Sequence, residues 1–495
     1  MDTKALRQKI LDLAIRGKLV PQDPNDEPAE VLLERIREQK QQMFKEGKLK
    51  KKDIKNDTII FKGEDNLHYE KFQDGTVKCI EDEIPFEVPE GWSWARLRDI
   101  CMMSAGKSKS TVQIKSEPFE GSYPCFGGNG VRGYVDEYNQ DGIFSIVGRQ
   151  GALCGNINIA IGKFYATEHA VVTTLFDGID FKWSNYILEA LRLNNYATGA
   201  AQPGLSVANI LNVFVPVPPT QEQDRIGNSV YESLKIVEAL EQEKIDLQKN
   251  IITAKTKILD LAICGKLVPQ DPNDEPASVL LERIRAEKEE LIKHGKIKRD
   301  KKESVIFKGD DNSYYGIHLP DSWNWASLRE IALSISDGSH NPPPNNGSGI
   351  PLLSAANIND NSILMNEISR WITNEEWKIE NQRTNIEVGD VLLTIVGSIG
   401  RSAVVQNNNH FALQRSVAVI KPCLINPLYL MHIVQSPQIQ KWLTDNSKGT
   451  AQKGIYLNAL SLMIIPIPPL AEQARIVELI HIAYKHLDLI SNALL

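Results

Sequence analysis

Residues 8–40 read QKILDLAIRGKLVPQDPNDEPAEVLLERIREQK and residues 256–288 read TKILDLAICGKLVPQDPNDEPASVLLERIRAEK, so 28 of 33 positions are identical. The likeness continues more loosely. FKGEDN at 61–66 answers FKGDDN at 307–312, and GWSWARLRDI at 91–100 answers SWNWASLREI at 322–331. Further on, VPVPPTQEQDRI at 215–226 answers IPIPPLAEQARI at 465–476. This period is far longer than that of a solenoid. It means two copies of a domain plus connector, not a stacked array.

The stretch from Pro218 to Val268 joins the copies. Ile226, Val230, Ser233, Val237, Leu240, Lys244, Leu247, Ile251, Ala254, Ile258 and Leu261 follow one another at alternating steps of four and three. That is a heptad seam, and it predicts a helix of roughly 60 Å lying along a partner helix. The register of the duplication supplies the partner. Ile476, Ile480, Ala483, Leu487, Ile490 and Leu494 repeat the first half of the seam, and Ile10 matches Ile258. A second rod is therefore split between the C-terminal residues 469–495 and the N-terminal residues 1–20. The expected molecule is circularly organised, with a pseudo-twofold relation between its halves.

Each rod is followed by the break VPQDPNDEP, where Asp26 or Asn25 could cap the next helix with Pro28 just inside it. A charged helix and a basic run follow, KEGKLKKKDIKND in the first copy. The run reads as a mobile connecting arm. Between the matching parts lie 101–214 and 332–464, which resemble each other little. Both are rich in short Val/Ile/Thr strands and Gly/Asn turns, and each ends in a helical piece and a Gly-rich loop, the pattern of a compact mixed α/β domain. Constant rods carrying divergent domains suggest one scaffold with two recognition specificities.

Composition sets the outer bounds. With 495 residues there is more than one core. A net charge of −7 does not announce a nucleic-acid binder, although a basic face can coexist with acidic helices elsewhere. Six scattered cysteines form no C-x-x-C pair, so neither a zinc site nor a disulfide framework is expected and a reducing cytoplasm fits. The N-terminal segment lacks the apolar core of a signal peptide. No apolar run approaches the ~20 residues of a membrane span.

At several of these residues the chain resembles the specificity subunit of type I restriction-modification systems. The likeness covers essentially the whole length. It rests on P-x-P-P-x-x-E-Q-x-R-I at the start of each rod, with Pro216, Pro218, Pro219, Glu222, Gln223, Arg225 and Ile226 in one copy. Pro466, Pro468, Pro469, Glu472, Gln473, Arg475 and Ile476 supply the other. It rests also on YPCFGGNGVRGYVDEY, TEHAVV, DGSHNPP, GDVLLTIVGSIGRSAVV and two G-x-A-Q-x-G-type loops. The family implies an α+β chain of two target-recognition domains, each reading half of a bipartite site on double-stranded DNA. An antiparallel coiled coil of long helices spaces them. It implies two modification subunits, adenine-N6 methyltransferases that bind S-adenosylmethionine, docked on those helices. Restriction subunits, which use ATP and magnesium, join that complex. The chain itself would hold no active site, cofactor or metal.

The expected partition is a helix at 1–20, an arm at 21–90, a first reader at 91–218 and the central helix at 219–268. A second arm at 269–321, a second reader at 322–468 and the C-terminal helix at 469–495 complete it. Ile226, Val230, Val237, Ile476, Ile480 and Leu487 are the expected docking positions. The long basic arms depart from the most compact family members, and contact with a modification subunit is favoured for them over DNA.

Base readout needs Arg or Lys for guanine and Asn or Gln for adenine, while phosphate contact needs cations. On Gly-rich or polar loops the first reader offers Lys107, Lys109, Asn129, Arg132, Arg149 and Gln202. The second offers His340, Asn341, Arg401, Gln414, Arg415 and Gln452, with Lys453 for phosphate. His169 reads as a structural hydrogen-bonder. Two short strings mimic catalysis. FGGNG at 126–130 fits a methyltransferase cofactor loop, but the strand-and-turn pattern after it lacks the required helix. NPPP at 341–344 places Pro344 where an amino-methyltransferase carries the aromatic residue that stacks on a flipped base. A self-contained DNA methyltransferase and a coiled-coil adaptor without a nucleic-acid role are the competing readings.

Overall fold

A computed structural model describes residues 2–151, 153–199, 203–299, 313–449 and 453–494. FKGDDN at 307–312 and the candidates Gln202 and Gln452 lie outside the described residues. The chain divides into two compact units, Met1–Lys244 and Ile245–Leu495. The boundary falls inside one unbroken helix, Thr220–Ile263, where the heptad pattern placed it.

Each unit repeats one way of holding that pattern. In the first, the N-terminal helix Thr3–Ile15 lies on helix Phe181–Ala190 and buries Ile10, Leu11, Ala14 and Ile15 in the same core as Ile226, Val230, Leu234 and Val237 of the central helix. In the second, the C-terminal helix Leu470–Ala493 packs Ile476 and Ile480 with Leu259, Ala262 and Ile263. Farther along that helix, the Tyr484 hydroxyl donates to the Lys255 carbonyl at 3.2 Å and Lys255 pairs with Asp488 at 2.5 Å. Partner numbers fall as the C-terminal helix advances, so the two segments run antiparallel.

Burial drifts off the strict heptad. Leu234 is buried in place of Ser233, Leu259 in place of Ile258 and Ala262 in place of Leu261, while Leu247 is 39% exposed. A straight helix of 3.6 residues per turn rotates by about 20° per heptad, which moves the buried line by one residue over this length.

The P-x-P-P-x-x-E-Q-x-R-I motif fastens each helix to its own domain. Glu222 accepts hydrogen bonds from Gln22 Nε2 at 3.1 Å and Trp92 Nε1 at 2.9 Å. Glu472 accepts from Gln270 at 2.6 Å and Trp323 at 3.0 Å. Gln223 Oε1 accepts from the Asp180 amide at 2.8 Å, and Gln473 Oε1 from the Asn426 amide at 2.9 Å. Arg225 pairs with Asp26, as Arg475 does with Asp274. The expected capping by Asp26 or Asn25 is therefore corrected. Pro28 is itself the cap residue of helix Ala29–Lys45, and its ring has no acceptor to offer, while the Asp26 carboxylate is committed to Arg225. Gly17 and Gly265 end the helices before these loops at φ +63° and +66°. A Cβ on Gly17 would stand 2.4 Å from Pro89 and one on Gly265 2.5 Å from Pro320.

The basic arm of the first unit is built into the fold. Three antiparallel strands, Ile59–Lys62, His68–Lys71 and Val77–Cys79, form a small sheet. Buried Glu70 accepts from the Nε and Nη2 of Arg96, one edge of the guanidinium, at 2.7 and 2.6 Å. Buried Lys40 pairs with Asp57 at 2.7 Å and donates to the Arg98 carbonyl at 3.1 Å. Lys48, Lys50, Lys51 and Lys55 are exposed, but Lys51–Ile54 is helical and Leu49 is buried. The expectation of a mobile run is corrected to that extent.

Each reader begins and ends at the foot of its helix. Ser93–Arg96 pairs antiparallel with Phe214–Val217, and Asn324–Ser327 with Ile464–Ile467. The first reader is a sheet of β1 (Cys101–Ala105), β2 (Tyr123–Gly127), β3 (Gly130–Val135), β4 (Gln140–Gly148), β5 (Ile157–Ala166) and β6 (Ala170–Leu175). Its order is β1-β6-β4-β5-β2-β3, with only β2 and β5 parallel. Helix Phe181–Ala190 covers one face, where Ser145 donates to Asn185 at 2.9 Å.

In the second reader the strands are β7 (Ala332–Asp337), β8 (Ile350–Leu353), β9 (Trp371–Ile372), β10 (Val391–Thr394), β11 (Ser402–Val404), β12 (Ala412–Leu413) and β13 (Val417–Pro422). They form two sheets, β7-β13-β10-β11 and β9-β8-β12, with β8 and β12 parallel, and two further short strands, Ile358–Asn359 and Ser362–Ile363, pair antiparallel with each other. The four-strand order β7-β13-β10-β11 reproduces β1-β6-β4-β5. The readers share a topology that their sequences do not display.

Two outcomes follow. Glu222→Ala strips the acceptor from the buried Trp92 indole and unties the Gln22 loop, so urea unfolding should show the first unit less stable by about 1–3 kcal/mol, and Glu472→Ala the second unit likewise. A loss below about 0.5 kcal/mol would contradict the anchoring role. Burial, with His481 nearby, pushes buried His432 down from 6.5 to about 4. Its neutral ring therefore contributes stability above pH 6.5 that is lost as pH falls toward 4, on the order of 3 kcal/mol at most. His432→Gln should flatten that part of the pH–stability profile.

Candidate nucleic-acid interface

Five loops of the first reader meet at one end of its sheet, tied by backbone hydrogen bonds. Gly106 and Lys107 donate to the carbonyls of Ala170 and Ala166 at 3.1 and 3.0 Å. Thr167 donates to Phe126, Arg149 to His169 and Leu205 to Arg149. Gly204 bridges both Thr198 and Gln150. The second reader repeats this frame. Gly338 and Ser339 donate to Val417 and Leu413 at 3.1 and 2.7 Å. Arg415 donates to Ser339 and Ile455 to Ile395, and Gly454 bridges Lys448 and Val396.

The glycine that starts each frame is fixed by contact. A Cβ on Gly106 would stand 2.1 Å from the Ala166 oxygen, and one on Gly338 2.1 Å from the Leu413 oxygen. The backbone is thus common to both readers, while the side chains it presents differ.

The sequence candidates fall on these frames, with different freedom. Asn129, Arg132, Gln150 and His169 line one open cleft of about 600 Å³. Asn129 and Arg132 are exposed. Asn129 accepts from Asn156 at 3.1 Å and Arg132 donates to the Thr111 hydroxyl at 3.2 Å. Lys107 is exposed and Arg149 half-buried. His169 serves the frame through its carbonyl, while its ring Nε2 lies 3.4 Å from Glu168. Lys109 is withdrawn. Its side chain is 8% exposed, pairs with Glu137 at 2.7 Å and lies over the Tyr165 ring. The hydrogen bond to Glu137 holds its ammonium above the ordinary value. In this arrangement Lys109 braces the Glu137 loop.

In the second reader His340, Asn341, Arg401, Arg415 and Lys453 are exposed and Gln414 half-buried. Gln414 donates its amide to Leu353 at 2.8 Å, and Lys453 accepts from Gly397 at 3.1 Å through its carbonyl. These bonds leave their side chains unassigned to the frame. Sequence reasoning missed Asp337 and Arg383, which hold His340. Asp337 could have been found as the acid three residues before His340; Arg383 lies on a helix, Asn374–Thr384, that carries no readout pattern.

FGGNG forms the tight turn between β2 and β3, with Gly127 paired to Gly130. A hairpin has no helix N-terminus for a cofactor phosphate, so the string is a turn. Among the described residues no group of three or more His, Cys, Asp or Glu side chains is placed to hold a metal. None of the described helices is long and apolar enough to cross a membrane.

The expected docking residues sit elsewhere than expected. Ile226, Val230, Val237, Ile476 and Ile480 are 0–3% exposed inside their own units, and Leu487 is half-buried. Side chains closed in by their own chain cannot offer a surface, so these residues secure the helices instead. The helix side chains that do face outward include Ile236, Ile245, Ile252 and Leu489, at 61%, 57%, 67% and 59% exposure.

Each copy of the duplicated α+β scaffold thus carries one framed cluster of loops. Residues 89–256 and 320–494 match the family model described as the type I restriction modification DNA specificity domain. The EcoEI specificity subunit of Escherichia coli is 27% identical over 99% of this chain and 90% of its own length. The EcoAI specificity subunit, also from Escherichia coli, is 29% identical over 72% of this chain and 67% of its own length. One solved structure described as "Structural basis underlying complex assembly and conformational transition of the type I R-M system" contains a chain that covers 83% of this one at TM-score 0.51 and 16% identity, with 94% of its own length matched. The chain belongs to the type I restriction-modification specificity subunits. It therefore stands with the non-catalytic recognition subunits of these enzymes.

The close contact at the start of each frame gives a selective test. Gly338→Ala must push the β7–β8 loop off the Leu413 carbonyl, so binding of target DNA should fall by about tenfold or more, a loss of ~1.4 kcal/mol, with helical content unchanged by circular dichroism. Undiminished binding would mean that this frame does not shape the reading surface.

Proposed function

We propose that the two readers recognise the two halves of one asymmetric, bipartite site on double-stranded DNA. The observation that carries this reading is one backbone frame presenting two different sets of side chains. Arg132, Arg149, Arg401 and Arg415 suit guanine, Asn129, Asn341 and Gln414 suit adenine, and Lys107 and Lys453 suit phosphate. Gln202 and Gln452 belong to the same proposal through their place in the Gly-rich loops. The functional partition is 91–218 and 322–468 as readers, with 219–268 and 469–495 plus 1–20 as spacing helices.

On this reading the helices set the distance between half-sites and dock two modification subunits through outward apolar side chains such as Ile236, Ile245 and Ile252. Those subunits, carrying S-adenosylmethionine, methylate adenine at N6. Restriction subunits, using ATP and magnesium, cut unmodified DNA. The arms at 21–90 and 269–321 face a modification subunit, and the complex works in the cytoplasm.

Reconstitution tests the core of the proposal. The purified chain alone should transfer no methyl group, and addition of the modification subunit should give methylation confined to one motif. Methyl transfer by the chain alone would overturn it. Footprinting of the complex should reveal two protected segments; a coiled-coil adaptor would leave none. Seven residues inserted within 238–250 keep the helix face and add about 10 Å. The DNA spacer should then lengthen by about three base pairs, at 3.4 Å each. An unchanged spacer would remove the ruler role.

A further inference from the structure

We infer that His340 selects a base in the second half-site, and that Asp337 and Arg383 fix its ring so that Nδ1 meets the DNA as a hydrogen-bond acceptor for an exocyclic amine. This rests on the proposed reading of DNA by the second loop cluster.

The geometry is specific. Asp337 ends β7 with its side chain only 9% exposed. One carboxylate oxygen accepts from Arg383 Nη2 and the other lies 2.7 Å from His340 Nε2. Arg383 Nε also donates to the Asp337 carbonyl at 3.0 Å. A carboxylate paired with arginine only accepts, so the proton between it and the ring belongs to Nε2. Arg383 Nη2 stands 3.4 Å from that nitrogen because two donors converge on one carboxylate. A neutral imidazole carries a single N–H, which leaves Nδ1 with its lone pair. Among the described residues no protein group engages Nδ1, and the side chain is 53% exposed. Asp337 is buried, so the exposed part of the ring is the part turned away from it.

An acceptor held in this way suits adenine N6 or cytosine N4 in the major groove. Guanine O6 or thymine O4 at the same place would bring two lone pairs together and leave both unsatisfied. Arg383 neutralises and orients Asp337 without reaching the base, so both are positioning residues. The alternative is a strut for the 338–349 loop. A strut would set how much site is methylated but not which bases define it.

Methylome sequencing of cells that express the modification subunit with the wild-type chain, His340→Ala or Asp337→Asn separates these roles. His340→Ala should relax one base position in one half-site, raising methylation of the other bases there about tenfold relative to the target. All remaining positions should hold. The asparagine amide of Asp337→Asn can donate to Nε2, which moves the ring proton to Nδ1. Preference at that same position and strand should then pass from adenine or cytosine to guanine or thymine. An intact motif in His340→Ala, with methylation unchanged or uniformly lower, overturns the inference and leaves the bipartite reading standing. A wild-type chain that yields no bipartite motif overturns the reading itself. If Asp337→Asn yields no folded protein by thermal melting, His340→Ala, whose ring is half exposed, decides alone.

Discussion

A buried carboxylate at the base of each helix holds this molecule's parts in register. Glu222 and Glu472 are almost completely out of solvent, a costly place for a charge unless donors surround it. Each finds an indole N–H from the residue just before the first strand of its reader and an amide from the VPQDPNDEP loop. Burial raises both carboxyls above their ordinary value, and the two hydrogen bonds and the neighbouring arginine oppose it. One side chain thus joins three segments distant in sequence: the helix, the loop after the opposing helix, and the reader. The duplicated motif is conserved between the two halves because it is a three-way joint.

Everything past that joint is free to differ. Beyond the paired strands at its foot, each reader needs only a sheet of one order and a glycine that lets two backbones touch. Gly106 and Gly338 meet that need by the same close approach to a carbonyl. The exposed side chains on the framed loops, such as Asn129, Arg132, Arg401 and Arg415, lie outside the core, so they can vary without loss of fold. A scaffold built this way separates the residues that hold the fold from those displayed on the framed loops.

The sequence made the frame's outline legible and its interior much less so. The near-identical 8–40 and 256–288 segments revealed the duplication, and the heptad steps predicted one helix across Thr220–Ile263. Neither required tertiary contacts. The docking residues failed for a physical reason: an apolar stripe at helical spacing marks burial and does not say against what, and here it faces the chain's own domains. The pairing of Lys109 with Glu137 was illegible because the two residues are distant in sequence. The common strand order of the two readers was illegible because it lives in backbone hydrogen bonds that many side-chain sequences can support. His340 was found as a polar loop residue, while Arg383, its indirect support, comes from an inserted helix with no counterpart pattern in the first copy.

The central claim is that the readers act independently on a constant scaffold. The most direct measurement is the methylation motif of a chain in which residues 101–214 are replaced by the matching segment of a relative with a different target, expressed with its modification subunit. The account predicts a hybrid motif in which one half-site changes and the other half-site and the spacer are retained. A motif changed in both halves, or a spacer altered by exchange of a reader alone, would contradict it.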